Sequence, residues 1–539
     1  MKRKIFYPII AIVPIVILLL SFTIRQSQGP FFYGNDYDPA YAYLVSSLNV
    51  SEFKDHKFYF HPGTTEQIIG AAVIKLVYLS QSDYSNIAED VFSKPEVYLF
   101  AFFAAITLIN AISFFFIGLI IYKATNNIYL SVFLQLSAII SFTITYELSM
   151  LKPDNLIVPV TLFLVALSIK FLYKSPPVKG KFTYEILFAL ICGIGLATKL
   201  TFLPLLIVPL IMISGIKRKL LFLGSTGVIF FLLLFPIYSN LSNFIVWVKN
   251  LLLHSGKYGT GNADVVDSKL FMDNLKNIFK SESYFFYTYF FVLIFLLVSL
   301  IGYFRKKIRA VSKLEYKLLI SFFLSMSFTT ILVAKQYAPR YMIPALVLCP
   351  VCLYLLFNIV LKTVNIPKKL FIQNAICILL AGYIVIYPYK KTLEAKDRIE
   401  KKRNDSIRID EYIKNNNATK ILTCYGSTSL EYALAFSLPF SGSQQPYYES
   451  ILKKKILNNL FFEPWVRKIH SINGTADVQE ILNSDGKLIL KLKDLGDVNS
   501  STLADIKNEL IQTYNFKNPE FISMFSNSNK ETIYEVNLK

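Results

Sequence analysis

The sequence predicts a polytopic α-helical membrane protein that carries a polar α/β domain at its C-terminal end. Of the 539 residues, 54% are hydrophobic and 17% are charged, a balance that excludes a soluble globular protein. Uncharged runs recur up to about residue 389, several of them close to the roughly 20 residues that cross a bilayer. The net charge is +20, but much of the excess lysine lies in short loops between apolar runs. That pattern is typical of cytoplasmic loops and excludes a nucleic-acid partner.

The first transmembrane helix is predicted at the N-terminus, where a basic start precedes an apolar run at 5–24. No small-residue cleavage site follows this run, so we expect it to be retained with its basic end in the cytoplasm. Further uncharged runs occupy 97–122, 128–146, 155–169, 182–198, 200–216, 220–238, 284–304, 318–334, 341–361 and 370–389. Together these runs predict about eleven transmembrane helices.

Short basic loops assign a side of the membrane to each connection. Four such loops, at 170–181, 217–219, 305–317 and 362–369, should lie in the cytoplasm, and an even number of crossings must separate any two of them. Lys199 is thereby placed in an outside hairpin. The sequence therefore predicts a multi-pass protein of the cell (plasma or inner) membrane, with a cytoplasmic N-terminus and an extracytoplasmic C-terminal domain.

The predicted domain organisation has two parts. Residues 1–389 form the transmembrane domain, with a first outside loop at 25–96 and a second at 240–283. The stretch 66–79 carries Lys75 and is too short to cross, which predicts a helix lying in the membrane interface. Residues 390–539 form the extracytoplasmic α/β domain. It is predicted to contain a charged helical lead-in at 390–414, strands at 420–424, 488–492 and 532–538, and a helix at 429–436.

The predicted topology places a set of ionisable residues outside, close to membrane level. They are Asp36, Asp38, His61, Lys152, Asp154, Lys199, Lys335 and Arg340. Cations neutralise the charge that accumulates on a phosphate leaving group, and a carboxylate takes the proton from an attacking hydroxyl. Because activated nucleotide sugars are not supplied outside the cytoplasm, this set favours group transfer from a lipid-linked phosphate.

Several short motifs carry all of these residues except Lys335, in a fixed order along the chain. They are Gly34-Asn35-Asp36-Tyr37-Asp38-Pro39-Ala40-Tyr41, His61-Pro62-Gly63-Thr64, Lys152-Pro153-Asp154, Gly195-Leu196-Ala197-Thr198-Lys199 and Pro339-Arg340-Tyr341-Met342-Ile343-Pro344. In this order the membrane half resembles the GT-C membrane glycosyltransferases, in particular the bacterial branch related to protein O-mannosyltransferases and to aminoarabinose transfer onto lipid A. The C-terminal domain resembles them only loosely.

The resemblance implies an inverting glycosyltransferase that moves a sugar from a polyprenyl-phosphate donor to a lipid, glycan or protein acceptor at the outer face. It implies that Asp36 or Asp38 is the catalytic base. It also implies that Lys152, Lys199 and Arg340 hold the lipid phosphate. This sequence departs from the family pattern in two places: Tyr37 separates the two acids, and a lysine stands where arginine is usual in the Lys152-Pro153-Asp154 motif. Lysine keeps the charge but loses the bidentate fork of arginine.

Other roles stay open for several of these residues. Asp38 or Asp154 would also serve as a helix cap, and Lys152 as an interfacial lysine. His61 suits either a substrate contact or a solvated loop, and Tyr341 either a substrate contact or the aromatic belt of the membrane.

Two Asp oxygens also suit a divalent cation, so the metal requirement is not assigned; no other cofactor is predicted. His254 and Tyr258 lie in a glycine-containing segment of the second outside loop that predicts either a mobile flap over the donor or a plain loop.

Two other classes of protein compete with the transferase. A transporter or lipid-linked glycan flippase is the main alternative, but such proteins tend to carry repeats and ionisable groups near mid-bilayer, whereas here the charges lie at helix ends. A membrane scaffold would leave the outside cations unexplained. The sequence does not specify the sugar or the acceptor.

Overall fold

The structure is a computed structural model. It describes residues 6–33, 37–81, 83–174, 182–255, 259, 261, 263–364, 368–416, 418–423, 428–456, 459–463, 467–472, 474–484, 488–493 and 503–538. The described residues fall into two compact units. The first unit contains residues 1–23, 59–66 and 103–393, and the second contains residues 24–58, 67–102 and 394–539.

The first 414 residues are mostly helical. Their α-helices are Phe6–Gln28, Tyr37–Ser51, Thr64–Gln81, Ile87–Ser93, Pro95–Thr125, Ile128–Gln135, Phe142–Glu147, Pro153–Lys174, Thr183–Thr198, Ile207–Met212, Ile216–Leu233, Leu241–Leu253, Ser268–Ser281, Ser283–Val298, Gly302–Lys335, Ile343–Val364 and Lys369–Lys414. Short 3₁₀ segments occupy Leu136–Ile139, Leu200–Leu206, Phe235–Asn240 and Pro339–Met342.

Among the described residues, six helices are long and apolar enough to cross a membrane, and the number rises to eight if two bent helix pairs each count as one span. Large apolar side chains on these helices are exposed, for example Leu19 at 58% and Phe116 at 49%. An exposed apolar surface of this kind suits contact with lipid. The structure thus confirms a multi-pass helical membrane protein. The count of eleven spans stays a prediction.

Several of the predicted runs are broken helices, among them those at 128–146 and 200–216. The run at 128–146 forms helix Ile128–Gln135, a 3₁₀ turn and helix Phe142–Glu147, because the Ser141 hydroxyl accepts from the Ile144 amide and caps a new helix. In the run at 200–216, Pro204 lies in the 3₁₀ segment before helix Ile207–Met212, and Pro209 lies inside that helix. Proline removes backbone hydrogen bonds, so this stretch cannot continue as one regular helix.

The stretch predicted to lie in the membrane interface forms helix Thr64–Gln81, which is not among the candidate spans. The charged lead-in predicted at 390–414 is the end of the 46-residue helix Lys369–Lys414.

The C-terminal domain contains helices and a mixed sheet, which confirms the predicted α/β domain. Its described strands are β1 (Thr419–Thr423), β2 (Asn459–Glu463), β3 (Lys468–His470), β4 (Leu488–Lys493), β5 (Glu520–Ser526) and β6 (Glu531–Asn537), in the order β3-β2-β1-β4-β6-β5. β1 pairs in parallel with β2 and β4, and the other pairs are antiparallel. Helices Leu430–Ser437, Gln445–Lys453, Val478–Ser484 and Leu503–Gln512 accompany the strands. β1, β4 and β6 lie where alternating or apolar runs predicted strands.

Candidate functional site

The centre of the candidate site is a buried ion pair in the first unit. Asp154 lies in the first turn of helix Pro153–Lys174, and Lys199 ends helix Thr183–Thr198. The Lys199 Nζ lies 2.7 Å from Asp154 Oδ1 and 2.6 Å from Oδ2, and both side chains are almost fully buried. The attraction within a buried ion pair offsets the free-energy cost of removing both charges from water only when the two groups lie this close together. Lys199 is therefore held in one position.

The glycine of the Gly195-Leu196-Ala197-Thr198-Lys199 motif has a packing role. A Cβ at Gly195 would lie 2.5 Å from the ring of Phe202. The Phe202 amide donates to the Lys199 carbonyl, so the ring folds back against the helix end. Gly195 allows this close approach, and the tight turn directs the Lys199 side chain toward Asp154.

The His61-Pro62-Gly63-Thr64 motif docks on the same helix end. Pro62 forms an antiparallel bridge with Lys199, and the Leu200 amide donates to the His61 carbonyl at 2.8 Å. The Thr64 hydroxyl donates to the Ala197 carbonyl at 3.2 Å. His61 has a φ of +88°, which costs a non-glycine residue about 1–3 kcal/mol and points to a functional constraint.

The His61 ring lies edge-on to Trp247, at 5.7 Å between centroids. Burial, followed by the positive charge of Lys199, lowers the pKa of His61 to about 3. The imidazole is consequently neutral at physiological pH and offers one donor and one acceptor. It contributes hydrogen bonding, not charge, to the site.

Arg340 and Tyr341 bring a third part of the chain to the pair. They lie in the 3₁₀ turn Pro339–Met342. The Lys199 Nζ lies 4.7 Å from the centroid of the Tyr341 ring, and the Arg340 Cζ lies 5.3 Å from it. Both distances are within the roughly 6 Å range of cation–π attraction. Two cations thus meet at one aromatic ring, and the Arg340 side chain is half-buried.

Lys152 lies two residues before Asp154, and its Nζ lies 3.9 Å from Glu147 Oε2. Both side chains are buried. Lys335, which the sequence placed among the outside cations, donates to the carbonyls of Leu251 and Leu252 at 2.7 and 2.6 Å. Both carbonyls belong to the last turn of helix Leu241–Leu253, so Lys335 caps a helix C-terminus.

Glu66 belongs to the site and was not singled out from the sequence. It lies in the first turn of helix Thr64–Gln81 and is completely buried. Among the described residues, neither of its carboxylate oxygens has a hydrogen-bond partner. Burial, followed by the negative charge of Asp154, holds the pKa of Glu66 well above its usual range. Its position five residues after His61 was the available signal, but the sequence interpretation treated it as the start of an interfacial helix.

The remaining predicted site residues are less fully described. Asp36 and Tyr258 lie outside the described residues. Asp38 lies in the first turn of helix Tyr37–Ser51, but its side chain is outside the description. His254 follows helix Leu241–Leu253 as its C-terminal cap residue. Within the described part of the chain, no group of three or more His, Cys, Asp or Glu side chains could hold a metal ion. Because the side chains of Asp36 and Asp38 are not described, the catalytic roles of these two acids stay predictions.

Comparisons with known proteins find a likeness to solved structures but none to a family model or a curated sequence. No family model matches the chain, and no curated protein matches its sequence. Among solved structures, the chain is similar to the crystal structure of ArnT from Cupriavidus metallidurans bound to undecaprenyl phosphate, with a TM-score of 0.47, 10% sequence identity and coverage of 97% of both chains. The function is accordingly inferred from the residues of the chain itself.

Proposed function

We propose that the chain is a membrane-embedded glycosyltransferase of the GT-C type, which transfers a sugar from a polyprenyl-phosphate donor to an acceptor at the extracytoplasmic face. One observation carries the proposal: His61, Asp154, Lys199 and Arg340, which come from four separate motifs, are electrostatically coupled in one cluster. These are the residues whose motifs resemble the GT-C family.

In the proposed reaction, an acceptor hydroxyl oxygen attacks the anomeric carbon of the donor sugar. The bond between that carbon and the phosphate oxygen breaks, and the polyprenyl phosphate leaves with the electron pair. The sugar is transferred with inversion. A carboxylate of the first outside loop, Asp36 or Asp38, takes the proton of the attacking hydroxyl, which is typically worth about 10²–10⁴ in rate.

The cations are proposed to stabilise the departing phosphate. Lys199 has three donors, and the two short contacts to Asp154 leave the third for a phosphate oxygen. Arg340 lies beside the same aromatic ring and adds a forked donor to the site. Asp154 then acts as the group that holds Lys199 in place, and the neutral His61 can hydrogen-bond to the sugar or the phosphate.

The test is donor cleavage by the purified full-length protein. Radiolabelled polyprenyl-phosphate sugars, one sugar at a time, are incubated with the protein in liposomes together with native membranes as the acceptor source. The wild type should release free polyprenyl phosphate from at least one donor, and a flippase would move the lipid without breaking this bond. Release from none of the donors would overturn the proposal.

The same assay tests the base. Asp36→Asn and Asp38→Asn are compared with Asp273→Asn, which removes an exposed carboxylate. One of the first two variants should lose at least about 10²-fold in rate, whereas Asp273→Asn should keep the wild-type rate. Full turnover in both single variants would remove the base assignment but not the transferase itself.

A further inference from the structure

Glu66 differs from the other buried acids that the structure describes. Its side chain is completely buried, and neither of its oxygens has a hydrogen-bond partner within the described part of the chain. By contrast, Glu185 accepts from Arg218 at 3.3 Å, and Glu315 accepts from Lys362 at 2.6 Å. Buried polar groups in native proteins are nearly always hydrogen-bonded, so an acid with two unpaired oxygens requires an explanation.

The chain just before Glu66 is fixed against the helix that ends at the buried ion pair. The Thr64 hydroxyl donates to the Ala197 carbonyl at 3.2 Å, and the hydroxyls of Thr65 and Thr198 lie 2.9 Å apart. These two contacts attach the start of one helix to the last turn of the other. Glu66 is the next residue, and its position beside the ion pair is therefore set by the fold.

The surroundings of Glu66 keep its carboxyl neutral. Burial, followed by the negative charge of Asp154, holds its pKa well above the usual range, and the positive charges of Lys199 and Lys152 do not reverse this. A protonated carboxyl offers one O–H donor and one carbonyl acceptor. It cannot take the proton of an attacking hydroxyl near pH 7, so Glu66 does not serve as the catalytic base.

A sugar hydroxyl satisfies both oxygens of a neutral carboxyl, because a hydroxyl donates as well as accepts. A phosphate oxygen only accepts, and it would leave the carbonyl oxygen of the carboxyl without a donor. In the proposed inverting reaction, the sugar is bonded to the phosphate that Lys199 holds, and the acceptor approaches from the opposite side of the anomeric carbon. A buried group beside Lys199 therefore faces the sugar and not the acceptor.

Trp247 is a second buried group that lacks a partner near this segment. Its ring lies 5.7 Å from the His61 ring, and its indole N–H has no acceptor among the residues that the structure describes. An indole N–H is a donor only. A donor at Trp247 and a donor-acceptor pair at Glu66, five residues after His61, suit a ligand that carries several hydroxyl groups.

We infer that Glu66 binds a hydroxyl group of the transferred sugar and thereby helps to select the donor. This inference rests on the proposed function, because it presupposes a sugar bonded to the phosphate beside Lys199. It gives a role to a residue outside the motifs that carry the family resemblance, since the His61-Pro62-Gly63-Thr64 motif ends two residues before Glu66.

Three variants separate this role from a structural one. Glu66→Gln keeps one donor and one acceptor, whereas Glu66→Met keeps the volume but removes both. Glu185→Met is the control, because it removes a buried carboxyl that is paired with Arg218. Each variant is assayed with the donor that the wild type cleaves and with analogues in which one sugar hydroxyl at a time is replaced by hydrogen.

One of these deoxy analogues should lower the wild-type kcat/KM by about 10- to 100-fold, because the Glu66 carboxyl then stays unpaired. Glu66→Met should show a similar loss with the intact donor and no further loss with that analogue. Glu66→Gln and Glu185→Met should keep both the wild-type rate and the wild-type penalty. An undiminished penalty in Glu66→Met would overturn the inference. An equal loss in Glu66→Gln would also overturn it, because that result requires a charged carboxylate.

Binding to the full-length protein in liposomes gives a readout without turnover. The wild type should bind a polyprenyl-phosphate sugar more tightly than polyprenyl phosphate alone, and Glu66→Met should lose this difference while it binds the sugar-free lipid normally. Equal affinity of the wild type for both lipids would overturn the inference. If the wild type shows the difference but cleaves no donor, the proposed transferase fails and the sugar contact stands. If it cleaves a donor and Glu66→Met behaves like the wild type, only the role of Glu66 fails.

Discussion

Each of the two units buries a lysine against a carboxylate, and the two pairs are built differently. In the membrane half, the Lys199 ammonium contacts both oxygens of Asp154 at 2.6–2.7 Å. In the C-terminal domain, Lys491 lies 3.6 Å from Glu531, and both side chains are fully buried. Among the described residues, the Lys491 Nζ has no hydrogen-bond partner.

The unsatisfied group differs between the two places. Glu531 accepts from the Thr428 amide at 2.6 Å and from the Asn527 side chain at 3.1 Å. The group without a hydrogen-bond partner in the C-terminal pair is therefore the Lys491 ammonium. In the membrane half the Lys199 ammonium is hydrogen-bonded to Asp154, and the group without a hydrogen-bond partner among the described residues is the buried acid Glu66.

Strand register explains why Lys491 lies beside Glu531, but it does not explain the cluster around Lys199. Lys491 pairs with Ile533 across β4 and β6, and Lys493 pairs with Glu531, so Lys491 and Glu531 are diagonal neighbours on one sheet. The cluster around Lys199 combines residues from four motifs that no regular pairing brings together. Strand pairing accounts for Lys491 as part of the sheet, whereas it does not account for the cluster around Lys199, which is consistent with the proposed ligand site there.

Loss of Lys199 should have the largest effect. Lys199→Met leaves the Asp154 carboxylate buried without its cation, so the unfolding free energy should fall by about 3–5 kcal/mol and transfer should be lost. Lys199→Met combined with Asp154→Leu should recover most of the stability but not the transfer. Thermal unfolding in detergent and donor cleavage measure the two effects. A double variant that transfers sugar would show that this pair, like the pair in the sheet, is structural.

Replacement of Glu66 should separate stability from function. Glu66→Met keeps the volume and removes a buried carboxyl that has no hydrogen-bond partner among the described residues, so the protein should become more stable by about 1–3 kcal/mol while transfer falls. Glu185→Met is the control. Glu185 is as buried as Glu66 but accepts a hydrogen bond from Arg218, and it lies in the first turn of helix Thr183–Thr198, at the end opposite Lys199. That variant should lose stability and keep transfer. A loss of stability in Glu66→Met would assign Glu66 a structural role.

Lys491 should produce the smallest effect, visible only in the pH dependence of stability. Burial lowers the pKa of Lys491 from 10.5 to about 8. Between pH 8 and 10.5 the unfolded chain then binds more protons at this residue than the folded one, so stability should rise with pH, and below pH 8 the full cost of the buried charge remains. Hydrogen exchange of β4 in the full-length protein, measured from pH 7.5 to 10.5 and corrected for the intrinsic exchange rate, should show this slope. Lys491→Met should remove it, and an unchanged slope in that variant would assign the pH dependence to other groups.

Much of the architecture could be predicted from the sequence because it depends on local patterns. The helices at Pro95–Thr125, Pro153–Lys174 and Ile343–Val364 follow uncharged runs, and β1, β4 and β6 follow short apolar or alternating runs. Where the prediction took an apolar run for one helix, at 128–146, the Ser141 cap divides it. Run length does not reveal such a break.

The candidate site was predicted residue by residue but not contact by contact. Asp154, Lys199 and Arg340 were identified from their motifs. That Asp154 is the partner of Lys199 was not foreseen, and neither was the buried position of Glu66. Each of these depends on residues far apart in sequence, such as the 45 positions between Asp154 and Lys199.

The amino-acid sequence by itself determined that the chain enters a membrane, where its helices form and which ionisable side chains lie at helix ends, because hydropathy and helix caps act over a few neighbouring residues. Only the tertiary structure decided which charged side chains form ion pairs, and which buried polar groups have hydrogen-bond partners among the described residues. The free energy of a buried charge depends on its surroundings in space, and packing, not sequence order, sets those surroundings.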